Sequence, residues 1–192
     1  MKKINLLAIA SVLTAAATAT VATPAHAFDI SAMGGATVSN YTFDPNFSVD
    51  WGTSYIVGAL IGQDFAPMIG FETGALVVAR KVGSNGISAT VTQLDIPLLI
   101  RLTPLSLIIV EAGGYLAPGL STSGTFAGIS SSGNAPKFDG GLRGVLGVRI
   151  PLVPKFSIRA QAQYSFGLAN ISDAGSQKTR AIDVLGGLTI EI

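Results

Sequence analysis

Eight segments of this chain alternate apolar with polar residues, and the gaps between them run long, short, long, short, long, short, long. The segments are 28–38, 53–64, 67–80, 89–102, 105–117, 138–150, 155–167 and 180–192. A period of two means a strand with one apolar and one polar face. Strands joined in turn by tight and by long connections fit an eight-stranded antiparallel up-and-down β-barrel, with turns at one end and loops at the other. The fold class expected is therefore all-β. The short connections are read as Phe65-Ala66, Thr103-Pro104 and Pro151–Pro154. The long ones, 39–52, 81–88, 118–137 and 168–179, are rich in Ser, Gly, Asn and Asp, and 118–137 reads as a mobile, low-complexity loop.

The faces sort by parity. In 155–167, Phe156, Ile158, Ala160, Ala162, Tyr164 and Phe166 oppose Ser157, Arg159, Gln161, Gln163 and Ser165. In 89–102, Leu94, Ile96, Leu98, Ile100 and Leu102 oppose Gln93, Asp95 and Arg101. In 138–150, Leu142, Leu146, Val148 and Ile150 oppose Asp139, Arg143 and Arg149, while Glu72, Glu111 and Asp183 mark the polar faces of three further strands. Pro97 cannot donate a ladder hydrogen bond, so a bulge or local break is expected there. Glycines blur the faces of the first two segments and leave their register open.

Which face is inside decides between a soluble and a membrane barrel. Charged residues are only 12% of the chain, far below the roughly 25–35% of a soluble surface. The polar face is further thinned by Leu99, Val145 and Leu185. Aromatics gather near the strand ends, with Phe28, Phe65 and Phe156 at one rim and Tyr41, Trp51, Tyr55, Tyr115, Phe138, Tyr164 and Phe166 at the other. Girdles of this kind flank the apolar band of outer-membrane barrels. Closed barrels also satisfy every backbone group in lipid. The reading is a transmembrane barrel with its polar face inward.

The N-terminus agrees. Lys2 and Lys3, an apolar stretch from Ile4 to Ala22 and the exit Ala25-His26-Ala27 make a signal peptide (1–27) cleaved after Ala27, leaving a single barrel domain, 28–192. The only histidine, His26, leaves with it, and the chain has no cysteine. Twelve basic residues less Lys2 and Lys3 leave ten against eleven acidic ones, which gives no basic footprint for nucleic acid.

The runs Leu94-Asp95-Ile96-Pro97-Leu98-Leu99-Ile100, Glu111-Ala112-Gly113-Gly114-Tyr115, Phe138-Asp139-Gly140-Gly141-Leu142 and Tyr164-Ser165-Phe166-Gly167-Leu168-Ala169-Asn170-Ile171 resemble the PorT-like outer-membrane β-barrel family. That resemblance covers most of the mature chain. It implies an eight-stranded barrel similar in architecture to the OmpA transmembrane domain, makes Pro97 a family feature, and carries over no catalytic site. One departure is the C-terminal residue: many such barrels end in an aromatic residue read by the assembly machinery, where this chain has Ile192.

The inward ionisable set is Glu72, Asp95, Arg101, Glu111, Arg143, Arg149, Arg159 and Asp183, with Glu191 beside them. Signs nearly balance, which points to a structural network of paired charges filling a narrow bore. Hydroxyl nucleophiles need a base, commonly histidine, and the mature chain has none, so no catalysis and no cofactor or metal is expected. Asp44, Asn46 and Asp50 in the first long loop lack the spacing of a calcium site. The function expected is structural or loop-mediated interaction, with a small-ligand binding or transport barrel, either a narrow pore or a soluble ligand carrier, as the alternative. The partners expected are outer-membrane lipid and the barrel-assembly and periplasmic chaperone machinery, with no nucleic acid and an unidentified loop partner. The protein is expected to be a monomer in the bacterial outer membrane.

Overall fold

The computed structural model describes residues 28–43, 47–48, 51–84, 87–126, 129–133, 138–168 and 177–192. The signal-peptide reading and the loop residues Asp44, Asn46 and Asp50 lie outside the described residues. The strands are β1 (Phe28–Phe43), β2 (Phe47–Ser48), β3 (Gly52–Ala66), β4 (Ile69–Ser84), β5 (Ile87–Leu105), β6 (Ile108–Ala117), β7 (Gly119–Phe126), β8 (Ile129–Gly133), β9 (Asp139–Val153), β10 (Phe156–Gly167) and β11 (Gln177–Glu191).

Eight of them form the wall. Pairing runs β1–β3–β4–β5–β6–β9–β10–β11 and returns to β1, antiparallel throughout. Stepping straight across these ladders from Asp29 leads through Gly62, Glu72, Leu99, Gly113, Arg143, Ser165 and Ala181 back to β1 at Ser39. The circuit has climbed ten residues (39 − 29). With ordinary strand spacings, that stagger over eight strands gives a tilt of about 40° and a backbone radius of about 8 Å.

The wall is apolar on the outside. Leu142, Leu146 and Val148 on β9, Ile158 on β10, and Ile182, Val184 and Leu188 on β11 are all exposed, whereas Arg101, Arg159 and Glu72 are fully buried. A barrel in water would have the opposite arrangement, so this is a transmembrane barrel and the soluble ligand-carrier alternative is removed. From Phe156 to Phe166 along β10 the wall rises about 25 Å at that tilt, which matches the apolar band of such barrels. Exposed Phe65 and Phe156 lie at the turn end, and exposed Trp51, Tyr55, Phe138 and Tyr164 toward the loop end. Tyr115 departs from the expected girdle and is buried in the lumen. It shares parity with Glu111, so it faces inward with it.

The strands extend farther than the alternation showed. The tight turns are Pro67-Met68, Ser106-Leu107 and Pro154-Lys155, each one to three residues later than the sequence reading placed it. Thr103-Pro104 and Pro151 lie within strands, beside register shifts between Leu102 and Leu105 and between Phe156 and Ser157. Lys155 takes a left-handed backbone, φ 73°, behind Pro154, as the second corner of a type II turn requires.

At Pro97 the β4–β5 ladder is broken without a bulge. Pairs run to Thr73↔Leu98 and resume at Leu76↔Asp95 in the same register, while Pro97 pairs normally with Tyr115 of β6. The missing amide therefore faces β4. The expected mobile loop 118–137 also differs: it holds the β7–β8 hairpin, in which β7 pairs with the loop-end half of β5. Low-complexity Ser and Gly carry no side-chain period, but their backbone still pairs with the edge that β5 offers.

Candidate functional site

The polar faces converge inside the wall: parity decides which side chains point inward, and the stagger between strands decides which of them meet. At the turn end Arg101 is the hub. It donates to Asp29 through Nη1 (2.5 Å) and Nη2 (3.3 Å), to Glu111 through Nε (3.2 Å), and to Glu72 through Nη2. Asp64 stands 3.8 Å from the same guanidinium. Arg159 donates to Glu111 and to Glu72 at 3.0 Å, with a second contact to Glu72 from Nη1. Arg149 completes this lower cluster at the mouth, 3.0 Å from Asp29 and 3.4 Å from Glu191. Room for the hub comes from Gly62, where a Cβ would overlap the Arg101 guanidinium.

Above these charges the lumen turns apolar. Met33, Leu76, Leu99 and Val145 lie two or four residues from Asp29, Glu72, Arg101 and Arg149 toward the loop end, and all four are buried. Met33 and Leu76 pack in one cluster with Ile56, Leu60, Val78 and Leu185. Glycines line the same level. A Cβ on Gly35, Gly58, Gly74 or Gly113 would overlap a backbone carbonyl of the adjacent strand, so the backbones approach there as only glycine permits. Large apolar side chains from the other positions fill the space.

A second polar cluster occupies the loop end. Arg143 donates to both oxygens of Asp95 (3.0 and 2.5 Å) and to Ser165 Oγ (2.9 Å), and its guanidinium lies 4.7 Å over the Tyr115 ring. Arg80 donates to Gln93 (3.1 Å) and stands 3.7 Å from Asp95. The Tyr115 hydroxyl donates to Asp139 at 3.4 Å. Each of these ion pairs stays within its own cluster.

Of the expected set, Glu72, Arg101, Glu111 and Arg159 therefore meet in one place. Asp95 and Arg143 meet in another, and Arg149 sits at the mouth. Among the described residues Asp183 pairs with no arginine; it accepts from Gln163 at 2.7 Å. Glu191 is not interior but lies exposed at the rim. The sequence reading missed Asp29 and Arg80 as members, put Asp139 on the polar face without counting it in the set, and assigned Tyr115 to the girdle. Arg80 could have been found, since it shares the even parity of Glu72. Asp29 could not, because the register of β1 is hidden by its glycines. Chemically, the central carboxylates Asp29, Glu72, Glu111 and Asp95 each accept from at least one guanidinium. Among the described residues none of the four hydrogen-bonds a hydroxyl as a base would its nucleophile.

No protein-family model matches the chain, and no curated protein matches it in sequence. Solved structures do. Neisserial surface protein A is 14% identical, covers 86% of this chain and 99% of its own, and superposes with a TM-score of 0.54. The fold is that of the eight-stranded outer-membrane barrels. The outer membrane protein OprG of Pseudomonas aeruginosa gives 18% identity, coverage of 88% and 96%, and a TM-score of 0.53. Ail, the attachment invasion locus protein of Yersinia pestis, in complex with the heparin analogue sucrose octasulfate, gives 14%, 85% and 99%, and 0.52.

Proposed function

We propose that this chain is a closed, non-catalytic barrel of the bacterial outer membrane, working as a structural element or through its loop end. The observation that carries this reading is the filled lumen: two ion-paired clusters with an apolar layer of Met33, Leu60, Leu99, Val145 and Leu185 between them. An ion crossing the bore would have to shed water among hydrocarbon side chains, and an unpaired charge there costs several kcal/mol. The exposed apolar exterior supports the membrane location, and the short turns at one end support a periplasmic orientation for that end. The β7–β8 hairpin supports loop-end interaction, since it carries backbone beyond the wall at the end facing outward. The four runs that resemble the PorT-like family support that kinship.

The test is conductance. Wild-type protein in a planar bilayer should show no steady single-channel steps. Reproducible channels of one defined size would overturn the closed reading and establish the narrow pore.

A further inference from the structure

Charge is divided unevenly between the lumen and the outer wall. Among the described residues, Asp29, Glu72, Asp95, Glu111, Asp139 and Asp183 are buried in the lumen. The other two described carboxylates, Asp64 and Glu191, lie at the turn end. None stands on the outer face at the loop end, yet cations do. The outward face of β11 runs from Ile190 through Leu188 and Val184 to Ile182, all exposed, and reaches Arg180, exposed on the same face. Arg180 pairs straight across with Phe166 of β10, at the loop-end limit of the apolar band. Its guanidinium lies 5.7 Å over the Phe166 ring, and among the described residues it forms no ion pair. Lys81, exposed on β4 at the same end, is opposite in parity to buried Arg80 and so stands outward too.

We infer that Arg180 binds a phosphate group of a phosphorylated glycolipid, of the lipid A class, in the leaflet at the loop end of the barrel. A guanidinium stacked on a ring is held against the wall, and its donors match the oxygens of a phosphate two at a time. Its height places it where apolar wall gives way to headgroups, so a lipid phosphate reaches it from the side without entering the barrel. A cation with no carboxylate beside it attracts an anionic lipid by about as much as any single charge near a membrane surface does. Two features favour a glycolipid over a phospholipid. The loop end faces outward on the reading above, and the outward leaflet of a bacterial outer membrane is built of phosphorylated glycolipid. Tyr164, 47% exposed and two residues from Phe166 on the same face, sets an amphipathic ring at headgroup level beside the cation. The inference rests on the membrane reading and on the outward loop end proposed above.

Arg180→Gln removes the charge, and Arg180→Lys keeps it without the fork. Lys155→Gly removes the exposed cation at the turn end and puts glycine at φ 73°, so it serves as the control for the opposite leaflet. Wild type and the three variants are reconstituted into phosphatidylcholine vesicles carrying diphosphoryl lipid A, its dephosphorylated form or phosphatidylglycerol. Each is then released gently into detergent and weighed intact with its retained lipids. Wild type should retain diphosphoryl lipid A in preference to the other two. Arg180→Gln should lower that retention about fivefold, the scale of one cation beside an anionic lipid, Arg180→Lys should lower it less, and Lys155→Gly should match wild type. Equal retention of the phosphorylated and dephosphorylated forms, unchanged retention by Arg180→Gln, or an equal loss in Lys155→Gly would overturn the site. Phosphatidylglycerol held as well as lipid A would overturn the glycolipid assignment. Insertion is scored separately by Trp51 fluorescence, so a failure of the membrane reading shows as a protein that does not insert at all.

Discussion

Asp95→Asn isolates the worth of one buried charge at nearly constant volume. Asp95 is fully buried and Arg143 is 2% exposed, and Asp95 is the carboxylate that the Arg143 guanidinium grips with two hydrogen bonds. Stranding a buried partner costs about 3–5 kcal/mol. Arg143 keeps the Ser165 hydroxyl at 2.9 Å and the Tyr115 ring at 4.7 Å, and a desolvated cation–π contact returns up to about 2 kcal/mol of stabilisation. The loss should therefore fall near the lower limit, about 3 kcal/mol. Adding Arg143→Met removes one of the two cations that face Asp95, while Arg80, 3.7 Å away, keeps its bond to Gln93, so the double variant should recover part of that loss, as replacement of a buried pair by apolar groups often does. The assay is equilibrium urea unfolding in phosphatidylcholine vesicles, followed by the fluorescence of Trp51, the one tryptophan of the chain. A loss under about 1 kcal/mol with an unchanged denaturant slope would show that water reaches the pair. A double variant worse than Asp95→Asn alone would refute the argument from the stranded charge.

Leu146→Arg on the exposed mid-wall face of β9 should cost about 2–4 kcal/mol in the same assay, whereas a neutral result would mean that lipid does not face Leu146. Gly62→Ala should drive the Arg101 guanidinium from its carboxylates and cost about 1–3 kcal/mol, as overpacking does, with wild-type stability showing that the hub is loosely held. N-terminal sequencing of the protein purified from membranes should begin Phe28-Asp29-Ile30, and a retained Met1 would refute cleavage after Ala27.

The parts of the fold legible in the sequence were those where side chains alternate without interruption. β10 reads cleanly because Phe156 to Phe166 never breaks step, and its inward Arg159 and Gln163 lie where parity puts them. The turns were misplaced because Pro104 and Pro151 look like turn residues and in fact sit beside register shifts, where strands tolerate proline. The β7–β8 hairpin was invisible because a Ser/Gly/Thr strand carries no amphipathic signal, only a backbone. Within the lumen, composition and parity named Arg101, Glu72, Glu111 and Arg159 as members of one inward set of paired charges. They could not show that the charges divide into two groups. That division depends on the ten-residue stagger, which lifts each strand's inward residues past those of its neighbour and is fixed by ladders that no single segment encodes.

The seam between β1 and β11 has a consequence for how the molecule is made. Its fifteen pairs run from Asp29↔Glu191 to Phe43↔Gln177, and Ser31 bonds Thr189 across 158 positions of chain. Until that seam zips, the sheet has two bare edges, and bare edges are untenable in hydrocarbon. No subset of strands is a stable halfway house in the bilayer. Closure must be cooperative, with the most distant parts of the polypeptide joining first strand to final strand, and the same seam is the gate through which the finished molecule would have to come apart.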